Sequence, residues 1–280
     1  MVVLMAASLS CTEVIDIELD STYSRLVVYG VITTDSAVHS VQLTKTTDYF
    51  FTQEPPVVSD AIVEVTFNDK TYLLEETSIR KGVYAFPTAF KGEIGTTYDL
   101  TINGVDIDED GIEETYTAST TMPEIADPDS LTLQKFITPF FSGYQLAFWS
   151  PEVVGRNWYN FQLVKNSTNL NSRLSDYSVQ PDDIAFDGYI KGFPVGFLDD
   201  EEEDEAVIPG DTITLKVSSI TRQYYDFITQ AQNEIFGNNP LFSGPPANVS
   251  TNLDNNAQGI FTAYSIRRIS AYAPAFSQIP

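Results

Sequence analysis

The sequence predicts a mainly β protein, in which an N-terminal sandwich of immunoglobulin type precedes a second β-rich domain with one packed helix. Short runs of alternating apolar and polar residues recur along the chain, and turn residues separate them. Aromatic residues make up 12% of the 280 residues, and almost all of them are Tyr or Phe, as in strands. Only one segment has the periodicity of a helix, which argues against alternating strands and helices in a parallel sheet.

The first part of the chain contains seven runs with the alternation of half-buried strands. These runs are 25–33, 38–44, 61–67, 71–74, 82–86, 97–102 and 115–119. Asn68 and Asp69 lie between the third and fourth runs and predict a hairpin. Seven strands over about 100 residues predict an immunoglobulin-like sandwich across 25–122.

A second domain is predicted after a linker. Residues 123–129 contain two prolines and three acids, which is typical of an extended connection. Strand-like runs then resume across 130–280. These runs are 131–136, 144–149, 158–164, 211–218 and 259–267. The polar, glycine-bearing segment 166–206 is predicted to be irregular.

The helix of this second domain is predicted over about 221–236. Thr221 or Ser219 can cap its start, and Gly237 stands where a helix ends. Its predicted apolar sector consists of Tyr224, Tyr225, Phe227, Ile228, Ala231, Ile235 and Phe236.

The first residues suggest an anchor. Residues 1–11 are apolar or small and end in Cys11, and they are similar to the end of a bacterial lipoprotein signal. In that chemistry the cysteine is acylated and becomes the new N-terminus, so 12–24 would be an acidic tether. The segment departs from the pattern because it is short and no Lys or Arg precedes its apolar run. The alternative is a first strand, with Cys11 an ordinary buried cysteine.

Charge and composition exclude several classes of function. The 39 acidic and 15 basic residues give a net charge of −24, which argues against nucleic-acid binding and favours cations or a basic partner. Cys11 is the only cysteine and His39 the only histidine, so disulfides within the chain and His-rich zinc sites are excluded. The sequence has no Gly-x-Ser-x-Gly elbow, phosphate loop or His-Glu-x-x-His motif. We therefore expect no catalytic residues and no resident cofactor, with calcium as the one candidate ion.

Several segments, taken in order, resemble a known family. They are Cys11 with the acids after it, 26–32, 60–65, 82–84, 95–98, Trp158-Tyr159, Gly210-Asp211, Tyr224-Tyr225, 245–252 and 259–261. In this order they resemble an uncharacterised family of Bacteroidota outer-membrane lipoproteins built on a domain of unknown function. The stretch within 60–98 is also similar to transthyretin-like sandwiches. The resemblance implies an accessory surface subunit encoded beside SusC-like TonB-dependent transporters, and it supplies no catalytic residues.

One candidate metal site lies in a predicted hairpin tip. Asp106, Asp108, Asp110 and Gly111 have the spacing of the first half of a calcium loop, whose oxygen ligands converge on one ion. Thr117 stands where such a loop carries its bidentate Glu. A solvated hairpin tip without an ion is the alternative.

Two segments are candidate partner surfaces. Seven acids follow one another over 199–205, and they form either a docking strip for a basic partner or a self-repelling loop. The segment 245–252 is either a contact surface or a rigid loop whose Asn side chains cap the backbone. The predicted contact residues are Asp199, Asp200, Glu201, Glu202, Glu203, Pro245, Pro246, Asn248 and Asn252.

The sequence thus predicts a lipoprotein on the outer membrane, held by Cys11 and exposed on the extracellular face. The family resemblance implies for it the role of a non-catalytic docking subunit of a SusC-like β-barrel transporter. The alternatives are a structural subunit of another surface assembly and a calcium-dependent glycan-binding module.

Overall fold

A computed structural model describes residues 24–46, 54–139, 141–181, 188–237 and 249–273. The protein is mainly β, with 53% of residues in strands and 8% in helices, as the sequence predicts. The described elements are the strands β1 (Leu26–Thr33), β2 (Ser40–Lys45), β3 (Ile62–Phe67), β4 (Lys70–Glu76), β5 (Val83–Ala85), β6 (Thr97–Val105), β7 (Glu114–Thr121), β8 (Ser130–Thr138), β9 (Phe141–Pro151), β10 (Trp158–Lys165), β11 (Thr168–Asn169), β12 (Ser178–Pro181), β13 (Tyr189–Asp199), β14 (Thr212–Ile220) and β15 (Gln258–Tyr272), the helix α1 (Arg222–Gly237) and a 3-10 turn (Leu174–Asp176).

The described strands form one large sheet and one small sheet. The large sheet has the order β11-β10-β14-β15-β1-β2-β5-β4-β3-β6-β7, with β12 also paired to β10. The small sheet has the order β13-β9-β8. The predicted hairpin between β3 and β4 is confirmed, because Asn68 and Asp69 both have positive φ, as a tight two-residue turn requires.

The last strand, β15, joins the two parts of the molecule. Its first half runs parallel to β1, from Val27 opposite Gln258 to Thr33 opposite Tyr264. Its second half pairs antiparallel with β14, as far as Thr212 opposite Tyr272. Fifteen residues of strand extend over about 46 Å. The two ends of β15 therefore mark opposite ends of the molecule.

The core of the N-terminal sandwich contains residues from both predicted domains. Leu26, Val28 and the other inward residues of β1–β7 pack with Leu253, Ala257, Phe261 and Ala263 from the far end of the sequence. Whether the two predicted domains on either side of 123–129 fold independently stays a prediction. The structure adds that the C-terminal segment completes the N-terminal core.

The second core lies between the small sheet and the strands β10, β14 and β15. Leu146 and Phe148 of the small sheet face Phe161, Leu163 and Leu215. The prediction that 166–206 is irregular is wrong over β13, an eleven-residue strand. Two register shifts against β9 interrupt its alternation, and glycines and a proline hide its strand character in the sequence.

The helix α1 packs on the large sheet beside β10 and β15. Thr221 caps it, because its Oγ1 accepts a hydrogen bond from the Tyr224 N–H at 3.2 Å. Tyr224 and Ile228 are buried against Ile220 and Ile260.

The last turn of α1 differs from the prediction. Ile235 and Phe236 were expected in its buried sector, but they are 55% and 72% exposed. The apolar sector is therefore buried over the first turns only.

Candidate functional site

The acidic turn, defined as residues 199–205, lies at the end of the molecule opposite Ser24. Lys165 ends β10, and its Nζ donates hydrogen bonds to the carbonyl oxygens of Asp204 at 2.9 Å and Ala206 at 2.6 Å. Lys165 pairs with Ile213, which pairs with Ala271 near the end of β15. Ser24 instead precedes β1 and lies near the start of β15. The length of β15 therefore separates the acidic turn from the beginning of the described chain.

Three of the seven acids hold the turn together. Glu205 Oε2 accepts the Asp199 N–H at 3.0 Å, and Asp199 Oδ1 accepts the Glu201 N–H at 2.9 Å. Asp200 is held by the neighbouring strands through its N–H, which donates to the Ser142 carbonyl oxygen at 2.9 Å. These bonds hold the backbone of the turn, and the choice between a docking strip and a self-repelling loop stays a prediction. The other four acids point into solvent: Glu201, Glu202, Glu203 and Asp204.

The Asp200 carboxylate has its own partners. Lys135 of β8 forms an ion pair with it, and the Ser142 Oγ donates a hydrogen bond to its Oδ2 at 2.6 Å. Partial burial alone would raise the pKa of Asp200, but the hydrogen bonds from Lys135 and Ser142 outweigh burial and hold that pKa below its usual value. Lys135 also lies 4.5 Å from the centre of the Tyr144 ring. Lys135 and Lys165 are thus both engaged within the protein.

Exposed apolar side chains surround the acidic turn. Phe136 pairs through Gly143 with Asp199, and Ile137 pairs with Ser142, the residue that holds Asp200. The exposed apolar residues at this end are Phe136 (43% exposed), Ile137 (70%), Phe197 (51%), Ile208 (63%) and Tyr272 (75%). Carboxylates and apolar groups side by side suit a partner that offers both cationic and apolar groups.

Of the predicted contact residues in this turn, Asp199 and Asp200 serve mainly the fold, whereas Glu201, Glu202 and Glu203 face outward. Phe136, Ile137 and Phe197 could not be assigned to the surface from the sequence, because the exposure of an apolar strand residue depends on how the strands pair and pack. Phe197, two residues before the acidic run, offered the one local signal.

The predicted calcium loop brings its three aspartates together. One carboxylate oxygen each from Asp106, Asp108 and Asp110 lies within 4.8 Å of the others, which fits a single oxygen-ligated ion. However, both oxygens of Asp106 already accept backbone N–H groups, from Asp110 at 3.1 Å and from Gly111 at 2.9 Å. These bonds account for the loop as a hairpin tip, so calcium binding stays a prediction.

The position that would complete the loop is used elsewhere. Thr117 donates its N–H and its Oγ1 to the two carboxylate oxygens of Asp254, at 2.6 and 2.7 Å. A groove of about 280 Å³ adjoins the loop and is lined by Asp108, Glu114 and Tyr116. Burial, then the charge of Glu114 and its hydrogen bond, raise the pKa of Tyr116 well above its usual value, so this phenol stays protonated.

In the segment 245–252, Asn252 serves the fold. Its Oδ1 accepts the Phe261 N–H at 3.0 Å, and its Nδ2 donates to the Phe261 carbonyl oxygen at 2.7 Å. This pairing supports the rigid-loop reading for Asn252, and its place in a partner surface stays a prediction. Pro245, Pro246 and Asn248 lie outside the described residues.

A larger groove, of about 490 Å³, lies beside this loop and is lined by Asp99, Thr117, Asn252 and Asp254 among others. Its carboxylates are engaged, because Asp99 accepts the Ser119 hydroxyl at 2.6 Å and Asp254 accepts both groups of Thr117. The groove therefore offers backbone and hydroxyl groups more than free charge.

Two further candidates from the sequence are the anchor at Cys11 and the single histidine, His39. Cys11 and the tether lie outside the described residues, so the lipid anchor rests on the sequence. His39 is buried, and its Nε2 lies 3.2 Å from the Phe90 carbonyl oxygen. Burial lowers the pKa of His39, so it is neutral at pH 7. Within the described ranges, no helix is both long and apolar enough to cross a bilayer.

Comparison with known proteins gives one finding. No curated protein matches the chain. A protein-family model with the description "Domain of unknown function (DUF4249)" matches residues 12–270, which leaves out only the first 11 residues and the last ten. The match begins at the residue after Cys11. The chain therefore belongs to this family of unknown function.

Proposed function

We propose that this protein is a lipid-anchored outer-membrane protein that docks, without catalysis, onto a SusC-like TonB-dependent transporter at the extracellular face. The observation that carries the proposal is the character of the surface around the acidic turn, at the end of the molecule opposite Ser24. There four outward carboxylates of the acidic turn stand among exposed apolar side chains, and the nearby lysines Lys135 and Lys165 are engaged within the fold.

The position of this end supports the proposal. An anchor at Cys11 would enter the fold at Ser24, about 46 Å from the end of β15 where the acidic turn lies. A surface so far from the anchor is available to a partner that rises above the membrane, such as the extracellular part of a barrel. Its charge suits cationic groups on that partner and would speed the encounter.

A pull-down from detergent-solubilised membranes tests the proposal. The C-terminally tagged chain is expressed in a Bacteroidota host, and co-purified proteins are identified by mass spectrometry. We expect a β-barrel transporter in stoichiometric amount. The triple variant E201K/E202K/E203K should reduce its recovery at least tenfold, whereas the single variant Glu113→Lys, at the opposite end, should not.

Three outcomes contradict the proposal. Recovery of the tagged chain alone would argue against any docking role. Recovery of a different envelope assembly would favour a structural subunit. Failure of the unaltered chain to incorporate a labelled fatty acid at Cys11 would contradict the lipid anchor.

A further inference from the structure

The two edges of the small sheet differ in how they are protected. The edge strand β13 has two register shifts against β9, contains Pro194 and exposes Lys191. Bulges, proline and lysine are the features by which proteins prevent an edge from pairing with another chain. The edge β13 is therefore closed to strand addition.

The other edge, β8, lacks these features. Its nine residues pair with β9 in an unbroken register, from Ser130 opposite Trp149 to Thr138 opposite Phe141. It contains neither proline nor glycine. Its one lysine, Lys135, is paired with Asp200. Among the described residues, β8 pairs with β9 only and forms one edge of the small sheet.

Exposure increases along β8 toward the acidic turn. Leu131 is 7% exposed, whereas Phe136 is 43% and Ile137 is 70% exposed. Ile137 lies on the same face as the inward residues Leu131 and Leu133 by the alternation of the strand. The end of this face is therefore exposed at Ile137, and a strand added beside β8 would bring its own side chains next to Ile137 in the extended sheet.

Charge decides between occupants of this edge. A second copy of the chain would bring together two molecules of net charge −24. An added strand with Lys or Arg at one end would instead bring its cations to the end of the small sheet where the acidic turn begins, because Lys135 of β8 pairs with Asp200 there.

We infer that β8 binds an extended segment of a basic partner protein by β-strand addition, with the cationic end of that segment at the acidic turn. Backbone hydrogen bonds to β8 supply affinity, and the turn sets the register and direction of the added strand. The inference rests on the proposed docking function in that a partner exists, but it does not require that partner to be a transporter.

Synthetic peptides test the inference directly. The probe is a fluorescein-labelled peptide of nine residues that alternates threonine and valine and ends in two lysines; its control ends in two glutamates. Fluorescence anisotropy gives the Kd, and hydrogen exchange read by mass spectrometry locates the bound strand. We expect the lysine peptide to bind at least tenfold more tightly and to slow exchange in 130–138 but not in 189–199.

Two variants sharpen the test. Ile137→Asp removes an apolar contact and adds a negative charge at the proposed edge, and it should weaken the lysine peptide at least fivefold. Ile79→Asp changes an equally apolar residue that is 98% exposed between β4 and β5, and it should leave the Kd unchanged.

Equal binding of both peptides, no saturation up to millimolar peptide, or protection outside 130–138 would overturn the inference. Its failure is distinct from that of the proposed function. A membrane pull-down that yields a barrel, with 130–138 unprotected in the captured complex, would overturn strand addition alone. Protection of 130–138 by the peptide, with no barrel recovered, would overturn the transporter role alone.

Discussion

The two sandwiches end in edge strands that the chain treats differently. At the edge of the first sandwich, residues after α1 return to cover β7: Leu253 bridges Ala118, and Asp254 accepts two hydrogen bonds from Thr117. At the edge of the second sandwich, β8 pairs on one side only among the described residues. The fold therefore uses its C-terminal segment to close one edge. The open edge belongs to the small sheet, at whose end the acidic turn begins with the pair of Lys135 and Asp200. Under the proposed function, binding would belong to the second sandwich, and the first would serve as its support.

Both sandwiches share β15, so the contrast between their edges depends on this strand. We therefore expect the largest loss of stability from a substitution where β15 meets β1. A Cβ on Gly259 would lie 2.0 Å from the Val28 carbonyl oxygen, and this glycine has a φ of +96°. We expect Gly259→Ala to lower the free energy of unfolding by about 3–5 kcal/mol, measured by urea unfolding.

Gly210→Ala is the matched control for Gly259→Ala. Gly210 has a φ of +95°, but nothing lies within 4 Å of its added Cβ. Gly210→Ala should therefore lower the free energy of unfolding by about 1–2 kcal/mol, the cost of placing alanine in a left-handed backbone conformation. Equal losses in the two variants would show that the contact between β1 and β15 is looser than the structure has it.

The next largest loss of stability is expected in the C-terminal segment that covers β7. Asn252→Ala leaves the Phe261 N–H and C=O without their partners, and Phe261 is almost fully buried. We expect a loss of about 1–3 kcal/mol in the free energy of unfolding. The comparable change at the open edge, Gln134→Ala, removes an exposed side chain and should cost no more than about 0.5 kcal/mol. Similar losses at Asn252 and Gln134 would contradict the contrast between the edges.

The parts of this arrangement that the sequence predicts are the local ones. The alternation of β1 through β7, the turn at Asn68-Asp69 and the cap at Thr221 each depend on residues a few positions apart. The acidic turn was also recognisable as a charged run. Local pattern was misleading for β13, where bulges break the period of two, and for the last turn of α1, where apolar residues remain exposed.

What the sequence could not predict is non-local. The parallel pairing of β1 with β15 joins residues more than 200 positions apart, and the bonds of Asn252 to β15 and of Asp254 to β7 follow from it. The ion pair of Lys135 with Asp200 depends equally on which strands of the small sheet are neighbours. No spacing in the sequence encodes these contacts, so the open edge of β8 became visible only in the fold.

The third prediction concerns the stability contributed by an acidic residue in each of the two sandwiches. In the first, Asp106 accepts two backbone N–H groups, and Asp106→Ala should cost about 1 kcal/mol in the absence of calcium. Glu113→Ala, in the same loop and exposed, is the control. The predicted calcium site is tested with the same proteins: calcium should raise the Tm of the unaltered chain and not that of Asp106→Ala. A Tm that neither calcium nor a chelator moves would contradict the metal prediction and leave the hydrogen-bonding role intact.

The smallest effect is expected in the second sandwich, at the pair of Lys135 and Asp200. Because the pair is partly exposed, Asp200→Asn should cost less than about 1 kcal/mol at pH 7. Its signature is the pH dependence. The folded protein holds the pKa of Asp200 below the unfolded value of about 3.9, so the stabilisation is present above that pH and is lost as the pH falls through the folded pKa. Urea unfolding from pH 6 to pH 3 should therefore show a steeper loss of the free energy of unfolding for the unaltered chain than for Asp200→Asn.

The control Glu201→Gln changes a neighbouring acid that faces solvent and should follow the unaltered chain. If Glu201→Gln flattened the profile as much as Asp200→Asn, the outward acids would be engaged within the fold. The acidic turn would then lack the free charge that the proposed docking requires.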